Sequence, residues 1–103
     1  MRIEYIVRVL DAFRRLDLPR GPFLFGYYFG GRHSIAEIMR ASGLKYTTVY
    51  STLSYLVNLG VVRVTMIPGD RNKYYVLTRS SFRDGAWEYR VYDDQVVVAY
   101  KPR

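Results

Sequence analysis

The side chains in this sequence best suited to chemistry are cations and hydroxyls rather than nucleophiles or metal ligands. Arg71 and Lys73 fall at or beside the turn 68–72, and Lys45, Tyr46, Thr47, Tyr50, Ser51 and Ser54 recur at spacings that set them on the outer side of a helix. Guanidinium and ammonium groups pair with phosphates, and hydroxyls donate or accept toward phosphates and base edges. Arg40 and Arg63 are weaker candidates for the same phosphate contacts. The cations are concentrated: residues 20–79 carry eight basic residues against Glu37 and Asp70, a net +6 of the chain's formal +7. That concentration fits a polyanionic partner, the alternative being a solvated basic face that binds nothing. Catalysis has no comparable basis. No nucleophile stands beside a general base, no glycine-rich phosphate loop occurs, and there is no cysteine for a thiolate or a disulfide. Asp93-Asp94 reads as turn chemistry. His33, the one histidine, lacks the companions of a metal or proton-transfer site and is expected as a solvated loop residue or a phosphate contact. An enzyme is not expected, nor is a cofactor or a metal.

Positioning these groups falls to residues 34–78. Ile35, Ile38, Met39 and Leu44 lie at helical spacing, Gly43 interrupts them, and Val49, Leu53 and Leu56 resume the pattern. The spacing predicts a helix over 35–41, started by Ser34 with Glu37 completing a capping box, and a second helix over 46–59. The second is about 20 Å long, a fit for a DNA major groove. With Val49, Leu53 and Leu56 turned to the core, its hydroxyls face outward. Gly60 ends it. The β-branched run Val61, Val62, Val64, Thr65, Ile67 and the run Tyr74, Tyr75, Val76 then predict a hairpin with a basic tip over 68–73.

In this order, Gly43-Leu44, Thr48-Val49, Leu53, Leu56, Gly60-Val61-Val62 and the ending GDRNKYYVLT, the chain resembles the winged helix-turn-helix transcription regulators, and among them the MarR, PadR and ArsR-like groups. The resemblance covers residues 22–79. It implies an α+β winged helix-turn-helix fold, helix 46–59 in the major groove of double-stranded DNA, and the wing 68–73 on the minor groove or the phosphates. It also implies that Asp70 orients Arg71 and that the chain forms a homodimer through terminal helices. One departure from the family pattern stands out. No Arg, Asn or Gln occupies the exposed first two turns of helix 46–59, so bidentate reading of guanine or adenine is missing. Recognition would then lean on thymine methyls, water and DNA shape, or the helix would meet a protein. A protein-binding adaptor and an architectural DNA binder without sequence preference are the alternative functions; for the tip, the alternative is an ordinary exposed hairpin end whose charges keep it soluble.

The flanks add to this unit within a single domain, the size a chain of 103 residues supports. Residues 2–16 predict an amphipathic helix with Ile3, Ile6, Val7, Leu10 and Phe13 on one face, and Glu4–Arg8 and Asp11–Arg15 as i,i+4 pairs. That face packs either on its own domain or on a second copy. Residues 22–30 predict an aromatic helix with Pro22 at its first position. Segments 87–92 and 95–100 predict an added C-terminal hairpin joined through Asp93-Asp94, either structural or an interface. No apolar run approaches the ~20 residues that span a membrane, and the start lacks the apolar core of a signal peptide, so a cytoplasmic location is expected. Thirteen arginines against three lysines, with eleven tyrosines, suggest a thermophilic archaeal or viral source. A small-molecule effector is left unassigned.

Overall fold

The computed structural model describes residues 1–17 and 30–102, and the aromatic helix expected over 22–30 lies outside them. Among the described residues the chain is α+β, with three helices and two three-stranded antiparallel sheets. Helix α1 spans Ile3–Asp17 and buries Ile6, Val9, Leu10, Ala12 and Phe13 completely. This stripe is wider than the expected face because α1 is covered from several directions, by two helices and by the C-terminal sheet. Of the two expected i,i+4 pairs, Asp11–Arg15 forms at 3.1 Å, and Arg14 joins the same carboxylate at 2.8 Å. Glu4–Arg8 does not form. Glu4 pairs with Arg2 at 2.5 Å, while Arg8 donates from Nε and Nη2 to the Ser42 carbonyl at 3.1 and 2.8 Å. An unsatisfied carbonyl at a helix C-terminus, with its negative dipole end, holds a guanidinium better than an exposed carboxylate does.

Helix α2, Ile35–Ser42, starts as its sequence dictates: Ser34 Oγ accepts from the Glu37 N–H at 3.2 Å, and the Glu37 carboxylate accepts from the Ser34 N–H at 3.4 Å. Gly43 closes it in the left-handed region at φ 70°, donating to the Met39 carbonyl at 2.8 Å. The left-handed backbone favours glycine at Gly43, and a Cβ there would also crowd the tip of Arg8, 3.0 Å away at Nη2. Helix α3, Tyr46–Asn58, buries Val49, Thr52, Leu53 and Leu56. It ends in a two-bond Schellman motif, Val61 N–H to Leu56 O at 3.0 Å and Gly60 N–H to Val57 O at 2.9 Å, with Gly60 at φ 76°.

The first sheet has the order β1-β3-β2, where β1 is His33–Ser34, β2 is Val62–Met66 and β3 is Lys73–Leu77. The two-residue β1 carries no alternation that a sequence pattern could show. Between β2 and β3, Pro68 and Gly69 (φ 85°) form a tight turn closed by Asp70 N–H to Ile67 O at 2.9 Å, the geometry that proline and then glycine favour in a type II turn.

The C-terminal region is a sheet rather than the expected two-stranded hairpin. Strands β5 (Trp87–Val91) and β6 (Val96–Tyr100) pair as anticipated, and β4 (Ser81–Asp84) adds to the far side of β5. Its inner face sends Phe82, Tyr89 and Val91 into the same core as α1, with the Phe82 and Tyr89 rings stacked at 4.9 Å. Two polar ties fix the sheet: Tyr55 of α3 donates to Asp84 Oδ2 at 2.6 Å, and Arg14 of α1 donates to the Asp93 carbonyl at 3.0 Å. The apolar stripe of α1 is therefore occupied within its own chain. No helix among the described residues is long and apolar enough to cross a membrane.

Candidate nucleic-acid interface

Three elements converge on one groove of about 610 Å³. The start of α2 contributes Ser34, Ile35 and Ala36; the first turns of α3 contribute Tyr46 and Tyr50; the β2–β3 hairpin contributes Arg71, Asn72, Lys73 and Tyr75. They meet because Gly43 turns α3 across α2 and because β1, directly before α2, pairs with β3 through His33↔Tyr75 and Ser34↔Tyr74. Tyr46 and Tyr50, a turn apart, stack at 6.0 Å with their planes 20° apart and stay about half exposed, at 53% and 46%. Tyr75 sits buried on the sheet side of the groove, and burial, then the neighbouring Tyr50 and Tyr46, raises its phenol pKa.

Asp70 does not orient Arg71. Its carboxylate accepts from the Tyr74 hydroxyl at 2.6 Å and from the Asn72 N–H at 2.9 Å, an Asx-type bond that bends the tip. The Tyr74 hydroxyl, and then the Asn72 N–H, hold the Asp70 pKa below its usual value. A short acceptor two residues from a backbone donor closes a tighter ring than a carboxylate reaching an adjacent long side chain. Arg71 and Lys73 are left exposed, and among the described residues neither forms an ion pair.

A second hollow, of about 440 Å³, lies on the other flank of α3. Lys45, Thr47 and Ser51 line it together with Met1, Arg2 and Tyr5 from the start of α1. Arg2 stands over the Tyr5 ring at 5.1 Å, a cation–π placement. Of the sequence candidates, the first groove thus gathers Tyr46, Tyr50, Arg71 and Lys73, and the second gathers Lys45, Thr47 and Ser51. Ser54, Arg40 and Arg63 are exposed but line neither. Arg2, Ser34 and Asn72 were not among the candidates. Arg2 is 45 residues from Thr47 in sequence, and no local pattern could bring it there.

His33 corrects its expectation outright: it is 3% exposed, neither solvated nor available to a phosphate. Its Nε2 lies 2.6 Å from Asp17 Oδ1 and its Nδ1 3.2 Å from Glu37 Oε2, and its ring leans on Phe13. Both ring nitrogens face carboxylates, and only the imidazolium can donate to both. Burial is the largest single influence and opposes the charge, but the bonds and charges of Asp17 and then Glu37 together outweigh it, and the His33 pKa is raised. Asp17 also accepts from the Gly31 N–H at 2.8 Å. The cluster ties the end of α1 to β1 and to the cap of α2, which makes it a structural clamp behind the groove.

No family model, curated protein or solved structure matches this chain.

Proposed function

We propose that this chain is a winged helix-turn-helix regulator that binds duplex DNA as a homodimer in the cytoplasm, with α3 in the major groove and the β2–β3 hairpin as a wing on the minor groove or the phosphates. The observation that carries the reading is the shared groove, where exposed hydroxyl-bearing Tyr46 and Tyr50 face the exposed cations Arg71 and Lys73 across a gap built by separate elements. The order helix, glycine turn, helix, hairpin, with a short strand closing the hairpin sheet, supports it. So does the length of α3, 13 residues or about 20 Å. Arg71 and Lys73 would neutralise phosphates; Thr47, Ser51 and Ser54 would touch base edges, with thymine methyls among their targets.

The charge-poor α3 favours a second reading, in which the exposed tyrosine pair anchors another protein and the chain acts as an adaptor. Selection from a random duplex DNA pool at ~0.15 M salt separates the two, because that salt screens weak surface attraction. Recovery of a two-fold symmetric motif with half-sites about 10 base pairs apart is the expected outcome. Retention without a motif would indicate an architectural binder, and no retention would remove the DNA reading in favour of the adaptor.

A further inference from the structure

We infer that the outer edge of β6 is the joint between two copies of this chain, forming a continuous six-stranded antiparallel sheet across a two-fold axis centred on Val98. This rests on the homodimer in the reading above and is independent of its DNA. The sheet order β4-β5-β6 leaves β6 at an open edge among the described residues. Its five residues, Val96–Tyr100, contain no charge and no proline, and a five-residue register with β5 runs through them without a bulge. Those are the devices that keep an edge strand from pairing. The opposite edge, β4, has four residues and carries Arg83 and Asp84.

The hydrogen-bond phase selects the register. The β5–β6 ladder is bracketed by Tyr92 N–H to Gln95 O at 2.8 Å and Lys101 N–H to Ala86 O at 2.6 Å. Bonded and non-bonded pairs alternate in an antiparallel ladder, so Val97 and Ala99 bond inward to β5, while the N–H and C=O groups of Val96, Val98 and Tyr100 point to the open edge. A two-fold axis at Val98 sets Val98 against Val98 of the second copy and Val96 against its Tyr100. All three residues are then satisfied on both copies, in about six hydrogen bonds. No other centre pairs the whole strand.

Side chains and charges agree with that register. Val97 and Tyr100 are 36% and 61% exposed on a strand with no charged side chain. In the paired sheet the Val96, Val98 and Tyr100 row continues the inner face, and Val97 meets Ala99 on the outer face. Beyond the strand ends, the acidic turn Asp93-Asp94 of each copy comes beside the exposed Lys101 of the other, since Lys101 falls opposite Gln95; within its own chain the Lys101 ammonium lies 3.4 Å from Glu88, so it would bridge the two acidic groups. Both ends of the joint pair opposite charges, which a two-fold arrangement of this strand gives and a parallel one does not.

The test is the mass of the DNA-free native chain by sedimentation equilibrium at about 0.1 mM, where association of even micromolar affinity is nearly complete, beside that of Val98→Pro. The Val98 N–H points away from β5, so proline there removes no bond within the chain, an edge position that proline tolerates. The expected result is a dimer for the native chain and a monomer for Val98→Pro, with its far-UV circular dichroism unchanged. A native monomer, or a folded Val98→Pro that remains a dimer, would overturn the assignment. If Val98→Pro does not fold, amide exchange on the native chain decides: slow exchange at Val96, Val98 and Tyr100 to match Val97 and Ala99 supports the joint, and fast exchange at those three amides alone removes it. DNA retention by a native monomer would sink the joint and leave the DNA reading, whereas a dimer that ignores DNA would do the reverse.

Discussion

Two of the hairpins among the described residues, β2–β3 and β5–β6, are of similar length and are held in different ways. In β2–β3 the strand β2 holds one buried residue, Val62, with Arg63, Val64 and Met66 exposed, and the tip 68–73 ends in cations that form no ion pair among the described residues. In β5–β6 the inner face carries Tyr89, wholly buried, and Val91, and the acidic tip is tied back to α1 by Arg14. The first is held through one strand, β3, which buries Tyr75, Val76 and Leu77 and pairs with β1, while most of β2 and the tip stay exposed; the second is held by its inner face and open at its edge. Strand pairing alone therefore does not say what a hairpin is for. Which face meets the core, and which charges are left without partners, separates a hairpin that can reach for a ligand from one that completes a domain.

Substitutions in each hairpin sharpen this contrast, beginning with the largest expected effect. Tyr89→Ala removes a side chain that is fully buried and stacked on Phe82, and should cost about 3–5 kcal/mol in urea unfolding, while Val64→Ala on the exposed strand should cost less than about 1 kcal/mol. Equal losses would mean that the two hairpins share the core alike. Arg71→Ala and Lys73→Ala should leave stability within about 0.5 kcal/mol but each lower the slope of log affinity for duplex DNA against log salt by roughly 1. Unchanged slopes in both variants would take the hairpin tip off the phosphates.

The smallest effect concerns the clamp that holds the first hairpin's sheet to α1. Because the folded His33 pKa is raised, its contribution to stability is fully present below about pH 6.5, the unfolded value, and is lost as pH rises through the folded value. Glu37 works the other way: its folded pKa is lowered, so its contribution is present above its ordinary value and fades as pH falls through the folded one. The gap in melting temperature between the native chain and His33→Gln should thus be widest between those limits, near pH 5–6, and shrink toward pH 9. A gap that grows with pH would mean that His33 is held neutral.

What could be read from the sequence was what local rules govern. Ser34 with Glu37, Gly43, Gly60 and Pro68-Gly69 each act within four residues, and the helices and the turns they bound stand where the spacing put them, to within a residue or two. The outward face of α3 followed from the inward one. Local rules fail where a side chain has distant or competing partners. The near neighbours of His33 point it to solvent, whereas its closest partner, Asp17, lies 16 residues earlier. Arg8 chose a helix-end carbonyl 34 residues away over Glu4, four residues before it. Strand β4 escaped notice because Ser81–Asp84 shows a single apolar residue, Phe82, and becomes a strand only when β5 lies beside it.

Arg8 and Arg15, two turns apart on α1, both end on carbonyls of the last turn of α2, those of Ser42 and Ala41. They sit at the one corner, Gly43, from which α3 departs. A helix that ends in water can fray and let its successor swing; this one is pinned from outside, and the angle between α2 and α3 is set by a third helix. The N-terminal helix thus braces, through two guanidinium groups, the corner at the root of the groove, and holds in place a helix end that would otherwise face water.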